Sequence, residues 1–243
     1  TGRGLLDRIG TDDRITAVER IFRRADRSHV VVTRDGDFPI EDGMQVVSYV
    51  EAAVQGWGSE GIDTGSARSV EHFLLSVKEG RFKVSRSTST HVVDTHLVPA
   101  KVPLELSSPR LEGTITVRTA GKFSGAVYIY TQGVSASAAH TVVGRVLQGI
   151  ELVRFAADGD LFSIRAEPAK LDLIGLTLAE AKAVAAQRGI ALTSDGVGDD
   201  RVVIGQTPPT TLEVIAAGTV EVATEPPEAV INITLDEAAA PRS

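Results

Sequence analysis

A chain of 243 residues with 42% hydrophobic side chains can fill a sizeable core and has room for two domains. It contains no cysteine, which excludes disulfides and any iron–sulfur cluster held by its own thiolates. The net charge of −7 is uneven, with 21 basic and 21 acidic side chains over residues 1–170 against 4 and 11 over residues 171–243, and this acidic last third argues against binding nucleic acid. No stretch approaches the roughly 20 apolar residues of a membrane helix, and no basic-then-apolar leader opens the chain, so a cytoplasmic protein without a membrane partner is expected. The first residue is Thr1 where a methionine would stand, as in a processed or partial chain.

In chain order, TDDRITAVERIFRRADR at 11–27 places Ile15, Val18, Phe22 and Ala25 on one helical face and leaves its arginines to solvent or to an anion. HVVVTRDGD at 29–37 predicts a strand running into a turn, and MQVVSYVEAAV at 44–54 a second strand. GWGSEGIDTG at 56–65 predicts a glycine-rich loop holding the only tryptophan. SVEHFLLSVKEG at 69–80 predicts a helix capped by Ser69, with His72 in the capping-box position, a buried stripe of Val70, Phe73, Leu74 and Val77, and Gly80 at its end. Strands are predicted at 81–85, 90–93, 113–119, 125–131, 141–147 and 161–165, with a short helix from Gly149 in which Ile150, Val153 and Ala157 share a face. So many strands with so few helices favour a closed or nearly closed β-barrel with helices at its ends.

The charge balance changes at Pro168. Beyond it, Thr177 and Glu180 form a Thr-x-x-Glu capping box opening an alanine-rich helix that Gly189 stops. RVVIGQTPPTT and GTVEVAT predict two strands flanking a proline loop, so that 171–224 forms one helix on a small sheet. VINITL at 230–235 could add an edge strand to the acidic tail.

Motifs for catalysis are absent: no Gly-x-Ser-x-Gly, no phosphate loop, no Gly-x-Gly-x-x-Gly and no paired histidines at helical spacing. His91 and His96, with Asp94 between them, could clip a metal or be plain histidines; no third ligand is specified, and no metal or cofactor is assigned. Tyr128 and Tyr130 alternate on one strand face, where they either line a groove or wall the barrel core.

Three segments resemble the cyclophilins in their order. SVEHFLLSVKEG is similar to the helix before a glycine turn, GTITVRTAGKFSGAVYIYT to the run ending in a strand with two aromatics, and HTVVGRVLQGIELV to the His-x-Val-Phe-Gly-x-Val strand and helix. The resemblance implies a cyclophilin-like barrel over 29–168. A cyclophilin isomerase polarises the twisting prolyl amide with an arginine from a Phe-His-Arg-Val strand. The matching stretch here is STSTHVV, with His91 or Val92 in that place, and DTHLVPAKVP lacks the glutamine that should follow. The resemblance therefore implies the fold without the isomerase site and no catalytic residue, with Arg86 or Arg118 as the only substitutes if prolyl isomerisation is retained. The groove candidates are Arg86, His91, Arg118, Tyr128, Tyr130 and His140.

A wider match resembles the archaeal methanogenesis marker protein 3 family. It is carried by TRDGDFPIEDGMQVVSYV, VEHFLLSVKEGRFKVSRSTSTHV, GTITVRTAGKFSGAVYIY, AAHTVVGRVLQGIELVRFAADGD, LIGLTLAEAKAVAAQRGI and DDRVVIGQTPPTT. The Gly-Leu-Thr, Glu-Ala, Arg-Gly-Ile and Gln-Thr-Pro-Pro positions of the last two also resemble a PASTA repeat. These resemblances imply a mainly β protein with short helices: residues 1–28 as the helical remnant of a longer N-terminal region, 29–168 as the barrel, and 169–243 as a small α/β PASTA-like module with an acidic tail. The function they imply is a non-catalytic interaction subunit of the ATP-dependent assembly that reductively activates methyl-coenzyme M reductase. Its partners would be that enzyme, the ATPase component A2 and the iron–sulfur-cluster-carrying chains.

Overall fold

Alternation builds the first strand. In Tyr49–Val54 (β1), Val50, Ala52 and Val54 are buried and the residues between them are half-buried, the two-residue period of a strand with one face on a core. The computed structural model describes residues 37–58 and 61–231 together with Val31 and Thr33. The helix expected at 11–27 lies outside the described residues, as do most of the strand expected at 29–37 and all but Val230 and Ile231 of the run 230–235. The second expected strand starts at Tyr49, not at Met44. The glycine-rich stretch after it is a small hairpin, Trp57–Gly58 (β2) against Gly61–Ile62 (β3), where a loop was expected.

Helix Ala67–Ser76 (α1) begins two residues before the expected Ser69 cap. Ser66 is the N-cap and makes no side-chain capping bond. Instead, the Ser69 N–H donates to the Glu105 carboxylate at 2.8 Å and the Ser69 hydroxyl to the Pro103 carbonyl at 3.1 Å. A distant carboxylate thus satisfies an orphan donor and faces the positive end of the helix dipole. His72, expected in a capping box, is hydrogen-bonded through Nε2 to the Gly125 carbonyl at 2.7 Å. Val70, Phe73 and Leu74 form the buried stripe, as the helical spacing requires.

After α1 the run 81–87 splits between two partners: Arg81–Lys83 (β4) pairs with Leu161–Glu167 (β10), and Arg86–Ser87 (β5) with His91–Asp94 (β6). Thr114–Arg118 (β7), Val127–Tyr130 (β8) and His140–Gln148 (β9) complete an eight-stranded sheet in the order β4-β10-β1-β9-β7-β8-β6-β5. Its two ends are consecutive pieces of one short run, so the sheet must curl round its own core. Within this sheet only β1 and β10 pair in parallel, and its other strand pairs are antiparallel. Val50, Phe82, Val92, Ile115, Ile129, Val143 and Ile164 fill the inside, closed by Phe73 of α1 and Val153 of the short helix Ile150–Phe155 (α2). At Gly144 the β1 backbone comes so close that an added Cβ would sit 2.6 Å from the Ala53 carbonyl oxygen, so a side chain there would push the strands apart.

The last third forms a second sheet with its own core. Ala191–Ser194 (β11), Val202–Thr207 (β12) and Thr219–Glu225 (β13) lie in the order β11-β13-β12. Helix Leu178–Gln187 (α3) carries Leu178, Ala181 and Ala185 onto that core. Its capping box is present as the sequence predicts: Glu180 N–H donates to the Thr177 hydroxyl oxygen at 3.3 Å, and the Thr177 N–H to the Glu180 carboxylate at 2.9 Å. Thr177→Ala is expected to cost about 1 kcal/mol, read as a lowered thermal midpoint, and an unchanged midpoint would show the cap to be dispensable. Two elements are additional to the single helix and two strands expected here: β11 and the helix Thr211–Ala217 (α4), which follows the proline loop at 208–210. Thr210 and Glu213 repeat the Thr-x-x-Glu signal at its start, so the sequence did hold a sign of it.

Candidate functional site

The outer side of β6, β8, β7 and β9 carries an aromatic face. Alternation sends Val92, Ile115, Val117 and Ile129 inward, so their neighbours His91, Thr116, Tyr128 and Tyr130 must point the other way. Register then aligns them: His91 faces Tyr130, Val93 and Thr116 flank Tyr128, and Arg118 faces His140. Tyr128 and Tyr130 stack with ring centroids 6.3 Å apart, and the His91 ring lies 5.3 Å from one and 5.5 Å from the other. His140 meets Tyr128 edge-on at 4.7 Å, a favoured aromatic geometry. The tyrosines therefore form a separate small cluster with Val93 and Ala126, against which Val98 and Val134 pack. They do not wall the barrel core.

Arg110 completes the face. Its guanidinium lies 5.1 Å from the Tyr130 ring centroid, donates to the Tyr130 hydroxyl at 2.8 Å and also donates to the Ser135 carbonyl. The cation and the ring attract each other, and the fork fixes the loop at 135 over the strand. Nothing in the spacing of SSPRLEG marks Arg110 in advance; a β-bridge between Arg110 and Val134 brings it there.

Of the six groove candidates, His91, Tyr128 and Tyr130 are in mutual contact and His140 joins them through Tyr128. Arg118 is beside His140 in register, but its Nε donates to the Ala120 carbonyl at 2.9 Å. Arg86 is exposed on β5, opposite Val93. His96 is not part of the cluster: it bonds Asp94 at 2.7 Å, away from His91.

Burial sets the electrostatics. It pushes the His140 imidazole down to about 4, helped by the positive charges of Arg110 and Arg118 and by His91. Burial likewise lowers His91, with Arg110 and Arg86 acting in the same direction. Burial raises the Tyr130 phenol, and Arg110 opposes that rise. At neutral pH the face therefore holds two neutral imidazoles and a neutral Tyr130 phenol beside the Arg110 guanidinium. His140 Nδ1 is 3.0 Å from the Thr116 hydroxyl, and His91 Nδ1 is 2.8 Å from that of Thr90. This chemistry suits apolar and aromatic contact with a few directed hydrogen bonds. Among the described residues, no group of three or more histidine or acidic side chains is placed to hold a metal ion.

No known protein-family profile matches the chain. The UPF0288 protein of Methanosarcina barkeri is 34% identical over 244 residues, which cover all of this chain and 46% of the relative. The UPF0288 proteins of Methanopyrus kandleri and Methanothermobacter thermautotrophicus are 34% and 30% identical, again over the whole of this chain and 46% and 45% of theirs. The chain thus resembles UPF0288 proteins of methanogenic archaea from end to end, and it spans about half the length of these relatives. Among solved structures, an uncharacterized B. cereus protein aligns with 48% of this chain and 33% of its own, at a TM-score of 0.34 and 14% identity, a likeness too slight to carry an argument.

Proposed function

We propose that this chain is a non-catalytic interaction subunit of methane metabolism. It docks components of the ATP-dependent assembly that reductively activates methyl-coenzyme M reductase: that enzyme, the ATPase component A2 and the iron–sulfur-cluster-carrying chains. On this reading residues 29–168 are a cyclophilin-like barrel and 169–243 a PASTA-like spacing and binding module. The observation that carries the proposal is the face of His91, Tyr128, Tyr130 and His140 under Arg110: clustered aromatic rings and a guanidinium, a composition that protein interfaces favour. Relatives from methanogenic archaea support the setting, and the ordered resemblance to methanogenesis marker protein 3 supports the choice of partners.

The test is affinity capture from native methanogen extract with the full chain and with His91→Ala, an accessible change at the edge of the face. Activation-complex subunits are expected with the unaltered chain and at least ten-fold less with the variant. Methyl-coenzyme M reductase recovered equally by both would be non-specific carry-over, and that result, or no activation component at all, overturns the proposal.

A further inference from the structure

A concavity lies beside the aromatic face, sharing strands β7 and β9 with it. It has a volume of about 560 Å³ and is lined by Trp57 of β2, Arg145, Gly144 and Val142 of β9, Thr114 of β7, and the Ser108–Pro109 run. That volume is in the range of sites that enclose small organic molecules. Ser108 and Pro109 face this cavity while the next residue, Arg110, bonds Tyr130, so one short segment separates the two sites.

Its walls are specific in three ways. First, Arg145 is exposed on β9 and has no acidic partner among the described residues, although it stands in register between Ala53 and Thr114 in the middle of the sheet. A guanidinium so placed offers a planar fork to a carboxylate or phosphate oxygen pair. Second, Trp57 lines the cavity and is 37% exposed. It is held by the β2–β3 hairpin, with Trp57 opposite Ile62, and an indole face so presented stacks on flat apolar groups. Third, Gly56, Gly58, Gly61 and Gly144 are among the lining residues, and without a Cβ they leave room for a flat molecule.

The remaining charge narrows the ligand. Asp63 also lines the cavity, and its Oδ1 accepts the Gly65 N–H at 2.8 Å. A carboxylate in the lining repels a phosphate dianion more than a single negative charge. We infer that this cavity binds a small planar organic monocarboxylate, its flat body stacked on Trp57 and its carboxylate forked by Arg145.

Trp57 is the only tryptophan, so fluorine NMR of the 243-residue chain carrying 5-fluorotryptophan gives one resonance that reports on the cavity alone. The probes are 2-naphthoate, its neutral isostere 2-naphthamide, and inorganic phosphate. A saturable shift with naphthoate is expected, with at least ten-fold weaker binding of the amide and of phosphate. Arg145→Gln is expected to weaken naphthoate at least ten-fold without moving the thermal midpoint, because the side chain is exposed. Equal binding of acid and amide, or tighter binding of phosphate, overturns the assignment of Arg145 to a carboxylate. Absence of any saturable shift at millimolar naphthoate overturns the site itself. The comparison of acid with amide needs no variant, so misfolding of Arg145→Gln would leave the test intact.

Discussion

Leu212→Ala is expected to remove about 2–5 kcal/mol from the unfolding free energy. Leu212 is fully buried, and although it belongs to α4 of the second sheet unit, it packs in the same cluster as Phe73 and Leu74 of α1. Val214, two residues on, is buried in the other core. Two residues turn a helix by about 200°, so this seven-residue helix presents one face to each core. Polar contacts hold it in place. Glu71 of α1 accepts the Thr211 N–H at 2.8 Å through one carboxylate oxygen and pairs with Lys170 at 3.1 Å through the other, and the Thr211 hydroxyl oxygen accepts the buried Leu171 N–H at 2.9 Å. The Lys78–Asp172 pair alongside is 3.8 Å long with both side chains 47% exposed, so Lys78→Ala should cost no more than about 1 kcal/mol. Urea unfolding of the two variants provides the check. A loss below about 1 kcal/mol for Leu212→Ala would show that the two cores are held together by something other than this side chain.

The second large effect concerns pH. The His140 imidazole titrates at 6.5 when unfolded and at about 4 in place, chiefly because it is buried. Between those values the unfolded chain binds the proton and the folded chain does not, so stability is full above pH 6.5 and falls as the pH drops toward 4. The difference corresponds to at most about 3 kcal/mol at roughly 1.4 kcal/mol per unit, less the part that solvent screening removes. The groups facing His140 are Arg110, Arg118 and His91, with the Tyr128 ring and the Thr116 hydroxyl, and none supplies a negative charge that would shelter the imidazolium. His140→Gln is expected to flatten the fall of the thermal midpoint between pH 6.5 and 4.5. Part of the fall should persist, because burial also lowers His91 and His72. Parallel curves for the variant and the unaltered chain would rule out His140 as the source.

The alternation of the tyrosine pair could be read from residue order, though its placement could not. Tyr128-Ile129-Tyr130 announced two rings on one side of a strand. Which side faced the core depended on register with β6 and β7, and that register placed Ile129 among the inner residues. The Ser69 cap failed for a related reason: Glu105, thirty-six positions away, supplies the bond that a local cap would have made. Arg110 and Trp57 were invisible as neighbours of anything, since a loop bridge and a two-residue hairpin determine where they stand.

Local chemistry, legible without coordinates, specified the alternating strands such as Thr219–Glu225, the α3 capping box and the stripe of Val70, Phe73 and Leu74. Each depends on residues within a turn or two of one another, where period and short-range hydrogen bonding act. Long-range pairing, by contrast, joined β1 in parallel to β10, split the run 81–87 between two partners and inserted Leu212 of one unit into the core of the other. Those contacts are chosen by burying shared apolar area among segments up to 140 positions apart, and no local pattern encodes which distant segment supplies the other half.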